Sequence, residues 1–135
     1  MTTPVDDYVR RYEQLVELER EEEMERYERE MHEMSGPERQ DAGRAILEMK
    51  GRDQGEALGG HEVKFLRQGR DEQLPDTEIG VGDLVQISKK SPLRDDNPTG
   101  TVSKKTRYSL TVVFSEQPHP FVFGKGLRVD LYVND

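Results

Sequence analysis

Apolar and polar positions divide the chain into two regimes. In the first, apolar side chains fall at 5, 8, 9, 12, 15 and 16 and then at 24, 27, 31 and 34. That spacing holds them to about half the circumference of a helix turning about 100° per residue. Thr3-Pro4-Val5-Asp6 supplies the start, with a hydroxyl cap, a proline in the first turn and acids at the positive end of the dipole. No Gly or Pro follows until Gly36, and Glu22 with Arg26 and Glu25 with Arg29 are i,i+4 pairs in the favourable order. The pattern predicts a helix over about 4–34, roughly 45 Å long. Ser35-Gly36-Pro37-Glu38 then ends it and opens another through a capping box of Ser35 with Glu38. Ala42, Ala45, Ile46 and Met49 recur at helical spacing before Gly51, predicting a second helix over about 37–50. A turn this short makes the pair an antiparallel hairpin, a helical stalk occupying 1–58.

The unequal lengths carry a consequence. The shorter helix reaches only the nearer half of the longer one, so Met24, Tyr27, Met31 and Met34 can be covered by it. Val5, Tyr8, Val9, Tyr12, Leu15 and Val16 cannot, and an uncovered apolar stripe of that size implies a partner outside the hairpin. On this reading the chain is a fragment of something larger.

After the glycines at 51, 55, 59 and 60 the period changes from 3.6 to 2. Strands are expected over 61–66, 83–88, 99–104, 108–114, 121–123 and 127–133. One face of 108–114 carries Tyr108, Leu110, Val112 and Phe114, and one face of 127–133 carries Leu127, Val129, Leu131 and Val133. Alternation in short strands joined by tight turns predicts a small antiparallel β-barrel of about six strands over 59–135, which leaves no exposed sheet edge. The fold class is α+β, a helical hairpin followed by a barrel.

Charge sharpens this division. The net charge of −8 comes from the first 60 residues, with 9 Lys+Arg against 17 Asp+Glu, whereas residues 61–135 hold 11 of each. Six basic and two acidic residues lie between Gln86 and Leu110. Strand parity places the turns 105–107 and 124–126 at one end of the barrel, gathering Lys104, Lys105, Arg107 and Lys125; Lys89, Lys90 and Arg94 fall at the other end. These are candidate phosphate contacts, the first group ahead of Lys89 and Lys90, and equally the ordinary lysines that keep a turn soluble. Tyr108 faces inward by parity and is not expected to stack on a base.

Catalytic chemistry finds no foothold. The G-x-x-x-x-G-K-[ST] phosphate loop is absent, and Gly51-Arg52-Asp53-Gln54-Gly55 and Gly124-Lys125-Gly126 read as linker and turn. His32, His61 and His119 lack metal-ligand spacing, and Asp95-Asp96-Asn97 before Pro98 reads as a turn. The absence of cysteine, of a leader and of a membrane-length apolar run suggests a soluble cytoplasmic protein.

An ordered set of segments then becomes informative. Leu15 to Glu25, Gly43-Arg44-Ala45-Ile46-Leu47, Leu58-Gly59-Gly60 before Val63-Lys64-Phe65, and Val81-Gly82-Asp83-Leu84-Val85 come first. Thr99-Gly100-Thr101-Val102, Ser109 to Phe114 and Leu127 to Asp135 follow. Together they resemble the N-terminal region of superfamily 1 helicases of the immunoglobulin mu-binding protein 2 type, relatives of the up-frameshift helicase. The resemblance implies two stalk helices holding a β-barrel over the first RecA-like motor domain of an enzyme that hydrolyses ATP and moves 5′ to 3′ on single-stranded DNA or RNA. It places ATP, Mg²⁺ and the helicase motifs beyond Asp135, and gives Val5 to Val16 the motor domain to pack on. The expected function is an accessory nucleic-acid-binding module, monomeric and without its own catalytic centre. The alternative is a protein-interaction adaptor with a dimerising coiled coil and a peptide-binding barrel.

Overall fold

In the computed structural model, which describes residues 3–57, 59–89, 91–94 and 96–133, Thr3 caps helix α1 (Pro4–Glu33). Its hydroxyl accepts from the Asp6 N–H at 3.2 Å, and the Asp6 carboxylate accepts from the Thr3 N–H and hydroxyl in return. Those bonds, the hydroxyl's first, hold the Asp6 carboxyl below its ordinary value. Helix α1 is the long helix the periodicity requires. Along it the i,i+4 ion pair observed is Arg26 with Glu30, at 3.1 Å. Helix α2 (Gly36–Asp41) follows, with Ser35 and Glu38 forming their reciprocal capping box.

The second helix stops nine residues short of the expected 50. Ala42 ends it, and Gly43 takes the left-handed conformation at φ +80° that closes many helices. A Cβ at residue 43 would press on the Glu78 backbone, which the Gly43 carbonyl holds by accepting from the Glu78 N–H at 2.8 Å. Residues 45–57 form strand β1 (Ala45–Ala57), so no helical hairpin covers α1 and the barrel begins well before residue 59. The helical spacing of Ala45, Ile46 and Met49 has another cause. The register of β1 shifts between Ile46 and Met49, and Glu48 bulges out at φ +52°. A bulge puts one extra residue between two inward positions, turning a period of 2 into a local 3. Ile46 and Met49 are thus both fully buried in a strand.

The other strands are β2 (Gly60–Arg67), β3 (Leu84–Ser88), β4 (Thr99–Lys105), β5 (Ser109–Phe114) and β6 (Leu127–Val133). All pairings are antiparallel, and the order β1-β2-β5-β4-β3-β6 closes on itself. Six strands close the barrel, but β1 replaces the strand expected at 121–123, where Pro120–Phe123 forms a 3₁₀ turn instead. The Val122 carbonyl of that turn lies where a Cβ of residue 51 would be, so Gly51 serves a close backbone approach rather than a helix end. The barrel interior is filled by Ile46, Val63, Phe65, Ile79, Val85, Ile87, Leu110, Val112, Leu127 and Val129 among others. Leu110, Val112 and Phe114 face inward as alternation requires, as do Leu127, Val129 and Leu131. Tyr108 does not: it lies before β5, in a turn, and is 43% exposed. The side chain of Val133 lies outside the described residues, as do Leu58, Asn134 and Asp135.

Only the C-terminal end of α1 meets the barrel. Tyr27 and Met31 are buried there, Tyr27 edge-on to Tyr132 of β6 with ring centres 4.6 Å apart. Their cover comes mainly from β6, with Arg39 of the short helix α2 also lying over the Tyr27 ring, and Met24 stays 39% exposed. Upstream, Val5, Tyr8, Val9, Tyr12 and Leu15 are exposed and Val16 half-buried. No helix among the described residues is long and apolar enough to cross a membrane.

Candidate nucleic-acid interface

Strand parity assigns each connection to one end of the barrel, and for one end the structure agrees. Lys89, Ser91, Arg94, Asp96 and Asn97 line a cavity together with His119 and Phe121, so connections 89–98 and 115–120 meet. Lys89 is exposed there, while Arg94 is neutralised by Asp96 through two bonds of 3.1 Å. Lys90, which belonged to this group, lies outside the described residues.

The other end differs in detail. Lys104 is exposed near the end of β4, and Arg107 is exposed in the turn into β5. Lys105 is also exposed, but it pairs with inward-facing Leu110 and its Nζ donates to the Ile79 carbonyl at 2.8 Å. Its charge therefore anchors the connection between β2 and β3. The reason for grouping Lys125 with 104–107 was a strand at 121–123, and none forms. Gly124 accepts from the Gly51 N–H at 3.0 Å and Gly126 donates to the Gln68 side chain, so Lys125 borders β1 and the end of β2.

The structure brings together a different set. In a sheet, directly paired residues project from the same face. Arg52 of β1 pairs with Lys64 of β2, Lys64 with Thr111 of β5, and Thr111 with Lys104 of β4. Val63, Phe65, Leu110 and Val112 point into the core, so by alternation this row lies on the outer face, with Arg52 and Lys104 exposed, Lys64 half-buried and Thr111 buried between the lysines. Arg52, Lys64 and Lys104 form no ion pair with any described residue. Beside the row, Lys50, Arg52, Arg70 and exposed Tyr108 line a shallow cavity whose other cation, Arg67, is held by Glu72 at 3.0 Å. Arg52 and Lys64 stand apart in the sequence because 51–55 reads as a linker and not as a strand beside 61–66. They become neighbours only when β1 pairs with β2.

The two glycine clusters of the sequence are both taken up by the fold. Gly51 and Gly55 lie within β1, Gly51 with the Val122 carbonyl against it, and Gly124 and Gly126 are bonded into the turn before β6. Neither cluster is thus arranged as a phosphate cradle. His61 is bonded through Nε2 to Asp53 at 2.7 Å, and the other histidines lie on α1 and beside the 3₁₀ turn. The Asp53 carboxyl is held below its ordinary value, first by the Gly55 backbone N–H and then by His61.

Residues 9–128 match the family model described as the 1B domain of helicase SMUBP-2/HCS1. A protein of Methanocaldococcus jannaschii described as an uncharacterized ATP-dependent helicase is 38% identical over 131 residues, covering 97% of this chain and 19% of that protein. The chain thus spans about a fifth of that relative's length.

Proposed function

The chain belongs to the SMUBP-2/HCS1 helicase family, as its 1B domain, and from that premise we propose that it is the accessory nucleic-acid-binding module of an ATP-dependent 5′–3′ helicase. It contacts single-stranded DNA or RNA through the phosphate backbone, and α1 couples the barrel to RecA-like motor domains that hold ATP and Mg²⁺. Its place of action is the cytoplasm. The observation that carries this reading is the group of outer-face cations, exposed Arg52 and Lys104 with half-buried Lys64, on one side of an otherwise nearly charge-balanced barrel, which form no ion pair among the described residues. Phosphate attraction needs local positive charge, and an overall charge of −8 concentrated on the stalk does not oppose it at the barrel. The apolar stripe of α1 from Val5 to Leu15 supports the coupling role, because no described element covers it.

Titrating the chain with a labelled single-stranded oligonucleotide at low salt tests the binding. Saturable binding whose affinity falls steeply with added salt is the expected outcome. Salt-insensitive binding, or none, would refute it. The same stripe favours one other reading, self-association through α1. Sedimentation at several concentrations separates the two, since self-association makes the mass concentration-dependent.

A further inference from the structure

The cations on the outer face of the barrel form a line, and a line of charge suits a chain of phosphates better than a compact anion. We propose that a single nucleic-acid strand crosses the outer face of β1, β2, β5 and β4, its phosphates on Arg52, Lys64 and Lys104 and a base stacked on Tyr108. This rests on the nucleic-acid reading above and assigns it a place. The row runs perpendicular to the strands, so its members step across the sheet at about 4.8 Å per strand and cover about 14 Å from Arg52 to Lys104. Thr111 stands between the two lysines. On the side toward the β1–β2 turn, the next outward residue of β2 is Glu62, paired with Val113 and Gly55, and its carboxylate repels phosphate. On the opposite side lies the cavity with Lys50, Arg70 and Tyr108, where four cations stand against Asp71 and the Arg67-paired Glu72. The strand is thus confined between an acid and an aromatic, its backbone along the row and its bases toward Tyr108.

The row makes contacts that carry no sequence code, and a single exposed ring accepts any base. Lys105 is unsuited to the same task because its amine is engaged by the Ile79 carbonyl. Binding is therefore centred on β1 and β2, which the turn residues alone would not suggest.

Fluorescence anisotropy with oligo-dT and oligo-U, on the whole chain and across a salt series, tests the site. The variant R52Q/K64Q keeps both outward side chains polar and is expected to unfold at the unaltered temperature. Its affinity should drop at least tenfold at low salt, and the slope of log K against log salt should become shallower by about 1.4, two contacts at roughly 0.7 each on a single strand. Tyr108→Ala should lose roughly fivefold or more without changing the slope, and Tyr108→Phe should restore binding. The variant K89Q, changed in the separate cavity beside His119, should alter affinity less than twofold. Strong loss in K89Q with none in R52Q/K64Q would overturn this site and leave the nucleic-acid reading standing. No salt-dependent binding by the unaltered chain would overturn both. Displacement of the oligonucleotide by polyglutamate of equal charge and concentration would instead identify an acidic protein as the ligand, and would also overturn the proposal.

Discussion

Arg39 is the largest side chain among those the fold buries completely, and it lies where α1, α2 and β6 meet. Its Nε donates to Asp130 of β6 at 3.0 Å, its Nη1 pairs with Glu30 of α1, and its Nη2 donates to the Arg44 carbonyl at 3.2 Å. The guanidinium also lies over the Tyr27 ring, 5.5 Å from its centre. Asp130 is itself fully buried and accepts from Arg128 at 2.6 and 2.8 Å. Burial alone would lower the pKa of Arg128, and the bonds to Asp130 reverse this and raise it. Burial and the charge of Asp130 also push the Tyr27 hydroxyl above its ordinary value. Removing one member of such a group strands the others. Asp130→Asn leaves two arginines without their shared carboxylate and should destabilise by about 3–5 kcal/mol in urea unfolding. Arg39→Met should cost less, because Arg128 still satisfies Asp130. Asp53 governs a smaller, pH-dependent effect. Its folded value lies below the ordinary 3.8, so its contribution is complete above 3.8 and is lost as pH falls through the folded value. A carboxyl carbon titration should place its midpoint below 3.8, and Asp53→Asn should abolish that share of the acid-side loss.

At the scale of elements, β1 does the most. Its first part pairs with β6 and its later part with β2, so one strand of 13 residues closes the barrel from both sides. The bulge at Glu48 makes this possible by bending the strand between its partners. A non-glycine residue held at φ +52° carries a strain of about 1 kcal/mol, tolerable for exposed Glu48. Glu48→Val adds a β-branched side chain there and should lower stability by a further ~1–2 kcal/mol, measurable as a lower denaturation midpoint at unchanged slope. Helix α1 shows the opposite economy of contact. Its capping box fixes where it starts, but only Tyr27 and Met31 are buried. Amide hydrogens of residues 8–18 should therefore exchange far faster than those of 27–33.

For the whole molecule, these features describe a barrel with a rigidly attached lever. The buried ion network and the Tyr27–Tyr132 contact fix the lever at its base, and the rest projects with its apolar stripe exposed. Side chains that contribute nothing to the barrel can be changed without harming it. Tyr8→Ser with Leu15→Ser should shift the unfolding free energy by less than about 0.5 kcal/mol. If α1 is the coupling surface, the same substitutions placed in a full-length helicase should uncouple ATP hydrolysis from strand movement.

The extent of the sequence's information follows from the range of the interactions involved. Helix α1, both capping boxes and the inward faces of β5 and β6 depend on residues within a few positions of each other, and the local pattern contains them. The uncovered stripe at Val5 to Leu15 was legible for the same reason. The identity of 45–57 was not, because a bulge gave inward residues a helical spacing, and pairing with β2 and with residues some 80 positions away in β6 makes that segment a strand. The row of Arg52, Lys64 and Lys104 was invisible on the same ground, since its members come from three strands and share a face only through register. The joint of Arg39 and Asp130 lies 91 residues apart in the chain, and nothing local marks either as buried. Local periodicity thus determined which segments are helical or alternating, while barrel closure decided which charges are buried and which stand in line.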